Sequence, residues 1–279
     1  MHPYSLCWGR SMGEIVSESL VLIGVGVLAG LLAGILGIGG GTIMVPAMVA
    51  LGLSGVQAVG TSTLAILVIA LGGSLQNWRM GFLKLKNVVL LGLPAVATAF
   101  LGTALASAFP EYVLLVAFAL FLLLNIYLIR IKQQVVAGEQ PAHQGAVFQL
   151  SLALARIIIG GTAGFLAGLF GVGGGVVMVP LQILLLKEEI KVAIQTSLGA
   201  IVITAVSALG WHSLRGNVQG VMGLLLGLGG LLGVQFGTRY LPRLPNRVVN
   251  LMFRLVLALF ALFFFYRGWQ SFYSLSQNS

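Results

Sequence analysis

The chain contains no aspartate and only six glutamates among 279 residues, and Cys7 is its single cysteine. One cysteine excludes an intrachain disulfide framework and a cysteine-based metal or redox centre. Charged residues make up 8% of the sequence, against about 25% in a soluble domain. That is too few to clothe a water-facing surface of this size. Also missing are a G-x-x-x-x-G-K-[ST] phosphate loop, an H-E-x-x-H helix and a catalytic acidic pair, which argues against ATP-driven transport within this chain and against an enzyme. No cofactor or metal is implied.

What is abundant is apolar. Hydrophobic residues reach 58%, mean hydropathy is +1.06, and the 60 residues from Ser19 to Trp78 carry no charge. A bilayer-spanning helix needs about 20 apolar residues, so the chain reads as an all-α polytopic membrane protein that partners the lipid bilayer. The start, through Ser19, mixes Arg10, Glu14 and Glu18, unlike a cleavable signal peptide, and the first membrane segment is expected to stay in the mature protein. The net charge of +9 does not mark a nucleic-acid binder. The basic residues sit in short loops between apolar runs, where they report topology.

The chain also repeats itself. Ala33 to Pro46 reads AGILGIGGGTIMVP, Ala167 to Pro180 reads AGLFGVGGGVVMVP, and nine of the fourteen positions are identical. Further landmarks follow in the same order: Thr61-Ser62 with Thr196-Ser197, Gly81 with Gly216, Gly92 with Gly227, and Gly102-Thr103 with Gly237-Thr238. Two homologous halves are expected, 1–135 and 151–279, joined by a polar linker over 136–150. Each half holds one long apolar unit, 20–53 or 152–186, broken by a triple glycine and then a proline. Three ordinary spans follow at 61–78, 88–108 and 113–129, or at 192–211, 218–237 and 248–266.

An unbroken helix of 34 residues would run about 51 Å, too long for a hydrocarbon core near 30 Å, so each long unit is expected to break at its glycines. If it turns back as a hairpin, the halves become inverted repeats. One side of the membrane then collects Arg79, Lys84, Lys86, Arg130, Lys132, Lys187, Lys191, Arg239, Arg243 and Arg247, and the other only Arg10, Arg215 and Arg267. The positive-inside rule favours that arrangement, with both termini outside.

A broken helix frees amides and carbonyls that lipid cannot satisfy, so it survives only inside protein or beside a wet cavity. The restart at Gly39-Gly40-Gly41-Thr42, and its counterpart at Gly173-Gly174-Gly175, would aim unpaired N–H groups and a positive dipole end into the gap. Two such starts near the midplane suit an anion site in a secondary transporter. Glycines such as Gly24, Gly26, Gly30, Gly34, Gly37, Gly160, Gly164 and Gly168 read instead as close helix packing.

Thr61, Ser62, Thr196 and Ser197 open the second unit of each half. They suit helix N-caps, and their hydroxyls could equally donate to an oxyanion. Asn77 and His212 occupy matched positions, each four residues before a glycine. Histidine titrates in the physiological range, so His212 either couples protons to anion movement or anchors the interface beside Trp211. The coupling ion is a proton or sodium. All six glutamates fall in tails or loops, and the lack of buried carboxylates tilts the substrate toward a small anion. A passive anion channel with the same site is the alternative.

The duplicated AGxxGxGGGxxMVP, the Thr-Ser pair that follows it and the H-x-x-x-G element of His212 and Gly216 resemble the sulfite exporter TauE/SafE family, which includes permeases of the 4-toluene sulfonate uptake type. The resemblance covers nearly the whole chain. It implies a multi-pass permease of the bacterial inner membrane for sulfite, sulfonates or related organosulfur anions. The chain departs from its own pattern at one place, with Asn77 where the second half has His212.

Overall fold

A computed structural model describes residues 12–106, 109–135, 146–170 and 174–277, and all its regular structure is helical. The helices are α1 (Met12–Leu36), α2 (Gly41–Ala50), α3 (Gly55–Arg79), α4 (Leu85–Ala106), α5 (Glu111–Val135), α6 (Ala146–Phe170), α7 (Gly175–Leu185), α8 (Ile190–Leu214), α9 (Gly220–Tyr240) and α10 (Asn246–Gln277). Among the described residues, seven of them, α1, α3, α4, α6, α8, α9 and α10, contain stretches long and apolar enough to cross a membrane. Most of the polar linker, 136–145, lies outside the described residues.

The distribution of side chains is that of a membrane protein. Leu251, Leu255, Leu259 and Leu262 line the outside of α10 and are more than half exposed, whereas Thr61, Asn77, Gln182 and Ser197 are completely buried. Lipid rewards apolar groups outside as much as inside, so close helix approach rests on small residues. On α1, Gly26 and Gly30 lie against the backbone carbonyls of Leu226 and Gly230, and Gly34 against Gly237 and Thr238 of α9. On α6, Gly160, Gly164 and Gly168 lie against the carbonyls of Leu91, Ala95 and Ala99 of α4. Both pairs therefore run parallel, at distances only glycine permits. Gly24 faces open space and takes no part.

The first long unit is broken as expected. Gly37, Gly39 and Gly40 have φ of 69°, 78° and 78°, a left-handed region open to glycine at no steric cost. The chain doubles back there, because an ideal Cβ on Gly40 would lie 3.1 Å from the carbonyl oxygen of Ala29, two turns back along α1. The second unit breaks between α6 and α7, where 171–173 lie outside the described residues.

Helix α3 starts at Gly55 and α8 at Ile190, about a turn and a half before the Thr-Ser pairs, and this corrects the capping expectation. Ser54 caps α3 by accepting from the amide of Gln57 at 3.3 Å, and Glu189 holds the corresponding place before α8. The span counted from residue 61 starts too late because the helix already begins at Gly55, ahead of that span and right after the Ser54 cap. At their far ends both helices close alike. The amide of Phe82 donates to the Asn77 carbonyl (2.9 Å) and that of Gly81 to Trp78 (2.9 Å); the amide of Asn217 donates to the His212 carbonyl (3.0 Å) and that of Gly216 to Ser213 (3.1 Å). With Gly81 and Gly216 at φ 78° and 67°, each is a Schellman C-cap.

Helix α3 also packs on α9, with Gly223 against Leu64, Gly227 against Val68 and Gly230 against Ile69, so these two are parallel. Helix α4 packs on α8, with Gly199 against Val88 and Gly92 against Ile203, again parallel. The short turn between α3 and α4 reverses the chain, which makes α3 and α8 antiparallel at the centre.

Candidate functional site

The two glycine breaks meet in the interior. Gly175, the first residue of α7, lies directly against the carbonyl oxygen of Gly37. The hydroxyl of Ser197 is shared between that oxygen, at 3.2 Å, and the Ile194 carbonyl of its own helix, at 2.9 Å. A serine of the second half thus braces the break of the first. Ile66 and Ile201 close the same space from α3 and α8. Ile66 Cδ1 stands 2.8 Å from the ideal Cβ position of Gly41, and Ile201 Cδ1 stands 2.8 Å from that of Gly175 and 3.4 Å from that of Gly39. A side chain at these glycines would have to displace the ends of the two isoleucines.

The backbone at the break carries unused donors. The amides of Ile43 and Met44 both bond the Gly40 carbonyl, and those of Val177 and Met178 the Gly174 carbonyl. Among the described residues the amides of Gly41, Thr42, Gly175 and Val176 have no hydrogen-bond partner. They form the positive dipole ends of α2 and α7. Thr42 Oγ1 beside them is buried and unpaired as well. Gly39, Gly40, Gly41, Thr42, Gly174 and Gly175 are therefore gathered at the breaks, while Gly173 lies outside the described residues.

The other residues singled out from the sequence are dispersed. Thr61 accepts from the amide of Gln219 at 3.0 Å, in the α8–α9 connection, and neighbouring Gly60 packs against the carbonyl of Asn217. Ser62 donates to Val59 and Thr196 to Val192, at 2.7 and 2.8 Å, so these hydroxyl protons are held by their own helices. Asn77 is completely buried, and neither its Oδ1 nor its Nδ2 has a partner. His212 is half-buried with Nδ1 unpaired, and Arg215 nearby lies 4.2 Å over the Trp211 ring.

Comparison with known proteins decides the family. The family model described as "Sulfite exporter TauE/SafE" matches residues 22–264. The chain belongs to this family. It is 26% identical over 274 residues to the probable membrane transporter protein YunE of Bacillus subtilis, covering 89% of this chain and 98% of that one. It is 34% identical over 219 residues to the probable membrane transporter protein ORF9 of a Sinorhizobium species, covering 76% and 79%. A probable membrane transporter protein of Xylella fastidiosa is 26% identical over 264 residues, covering 92% and 98%. No solved structure matches. Family and relatives together indicate a multi-pass membrane transporter.

Three features of this TauE/SafE chain escaped sequence reasoning. The isoleucine pair was signalled only by spacing, since Ile66 and Ile201 are 135 positions apart, like Thr61 and Thr196. Glu188 looks like a loop charge, yet it is 13% exposed and forms a 2.7 Å ion pair with Arg156 of α6. Ser74, one turn before Asn77, is buried with its hydroxyl unpaired, and nothing in the sequence distinguishes it from a packing serine.

Proposed function

We propose that this TauE/SafE transporter is a secondary carrier of small anions, of the sulfite or sulfonate type, and that the substrate passes the paired glycine breaks. One observation carries the reading: α2 and α7 both start with amides unpartnered among the described residues, and Gly175 at the start of α7 lies against the Gly37 carbonyl of the first break. Buried amides at helix N-termini favour negative charge, and no glutamate carboxylate competes there. Glu188, partly buried in the α7–α8 loop, is neutralised by Arg156. Because Ile66 and Ile201 fill the space between the breaks, the conformation described is closed, and the path opens when α3 and α8 part.

The halves are further proposed to be inverted. Helix directions support this. With each broken unit counted as a hairpin, inversion requires α1 parallel to α9, α6 to α4, α3 to α9 and α8 to α4, with α3 and α8 antiparallel, which is how they run. A parallel repeat, in which each broken unit crosses the bilayer once, would reverse the last three relations. Alternating access then amounts to rocking one inverted half against the other.

Proteoliposome flux tests the proposal. Labelled sulfite, thiosulfate and methanesulfonate should move at carrier rates and in response to an imposed proton or sodium gradient. Single-channel currents would instead make the protein a passive channel, and carriage of a cation without any of these anions would overturn the reading.

A further inference from the structure

Most hydroxyls along the helix interiors of this protein follow one habit. Ser62, Thr63, Thr196, Ser197, Thr204 and Thr238 each donate to a carbonyl three or four residues back. Ser74 does not. Its Oγ is buried and has no partner, although it sits inside a continuous helix with a carbonyl within reach. Asn77 follows one turn later, 0% exposed, with both amide atoms unpaired. Positions 74 and 77 share a helix face, so three unpaired polar atoms lie on one face of α3. Burying such groups unpaired forfeits their hydration without return, a loss that folding alone does not explain.

Their surroundings connect them to the break. Gly73 shares a face with Asn77 and is enclosed by Leu198 of α8 and Val234 of α9. One turn further, α8 being antiparallel and α9 parallel, the register brings Asn77 level with Ile194 and Thr238. Those are the residues that hold the end of α1. Ideal Cβ positions on Gly37 and Gly34 lie 2.9 Å from the Ile194 carbonyl and 2.8 Å from the Thr238 amide. The equivalent places in the second half are Leu209 and His212, so this polar face exists on one side only.

We propose that Ser74 and Asn77 form a binding station for a small oxyanion, one step from the glycine break along α3. The Ser74 hydroxyl and the Asn77 Nδ2 donate to the anion's oxygens, and neither residue adds a charge that would trap it. The station rests on the anion-carrier reading and adds to it the residues that hold the anion on one side of the break.

Thermal unfolding of the purified chain, with sulfite and methanesulfonate titrated against chloride at equal ionic strength, tests it. The variant carrying Ser74→Ala and Asn77→Leu should be at least as stable as the natural chain without anion, because replacing unpaired polar groups by apolar ones removes a penalty. It should need about tenfold more sulfite or methanesulfonate for the same stabilisation, the effect of losing one to two neutral hydrogen bonds. Ser74→Ala alone gives the same direction with a smaller shift, and serves if the double variant does not fold. A double variant that responds to the anions like the natural chain overturns the station and leaves the carrier reading standing. A natural chain that responds to neither anion overturns both.

Discussion

A single methyl placed at Gly41 probes the packing of the break. An ideal Cβ there lies 2.8 Å from Ile66 Cδ1 and 3.8 Å from Ile66 Cγ1, and meets nothing else within 4 Å. Gly41 is not in the left-handed region, so the backbone accepts alanine, which helix propensity favours by about 1 kcal/mol. Against this stands the overlap with Cδ1, well inside the 3.5–4.0 Å optimum for carbon pairs, and overpacking of this kind costs about 1–3 kcal/mol. Gly41→Ala alone should thus be destabilising by about 1 kcal/mol. Ile66→Val removes the offending Cδ1 and by itself costs about 0.5–1.5 kcal/mol. Together the new methyl fills the space the old one leaves, so the double variant should be as stable as the natural chain, with a coupling of about 2 kcal/mol. Reversible unfolding in mixed micelles titrated with SDS, followed by helical ellipticity, measures all four corners of the cycle. Additivity within about 0.5 kcal/mol would refute the placement of Ile66 on the break. Gly175→Ala is the internal control: its methyl meets the Gly37 carbonyl as well as Ile201 Cδ1, so Ile201→Val should leave it unrescued.

Gly40→Val combines a branched side chain with φ 78° and a carbonyl at 3.1 Å. It should stop transport in vesicles while the protein still inserts, and should lower the unfolding midpoint more than Gly174→Val, whose site is right-handed with Met178 Cε at 3.4 Å. Arg156→Leu leaves the partly buried Glu188 carboxylate without its partner and should lower stability, whereas adding Glu188→Gln should recover most of the loss; the same unfolding titration decides. His212→Gln should flatten the pH dependence of anion flux between about pH 5 and 8, and an unchanged profile makes the residue an interface anchor.

Chemistry that depends on composition or repetition was legible before any coordinates. The charge-free run from Ser19 to Trp78 and the doubled GxGGG follow from constraints that act on short stretches, bilayer thickness and backbone freedom. Gly26, Gly30, Gly34 and their second-half equivalents were read correctly as packing, because close helix approach has a local spacing. Gly37 packs closely too, against Ile194 and Ser197 of α8, but its carbonyl also bonds Ser197, 160 positions away, and meets Gly175, which no local spacing signals. Glu188 does lie in the α7–α8 loop, as read, but its ion pair with Arg156 of α6 depends on another helix and has no local signal. The Thr-Ser pairs lay deeper in their helices than the apolar pattern suggested, because a cap depends on one residue, Ser54, rather than on periodicity. In the aromatic cluster of α10, Phe264 turns inward and meets Phe118 edge-on at 5.0 Å, a contact no interfacial pattern reveals.

The matched Asn77 and His212 show why motif spacing and motif chemistry must be separated. Their distance to Gly81 and Gly216 is set by the Schellman cap, in which they supply only a backbone carbonyl. Any side chain at these positions would preserve the spacing, so the spacing carries no information about binding. The caps can be perturbed independently. Ideal Cβ positions on Gly81 and Gly216 meet nothing within 4 Å, so alanine at either costs only left-handed strain, about 1–2 kcal/mol. Gly81→Ala and Gly216→Ala should therefore lower stability to a similar extent and leave the anion concentration for half-maximal flux unchanged. Asn77→Leu should do the reverse. A glycine variant that weakens anion affinity as much as Asn77→Leu would mean that the α3–α4 turn itself touches the substrate, and the asymmetry between asparagine and histidine would lose its functional meaning.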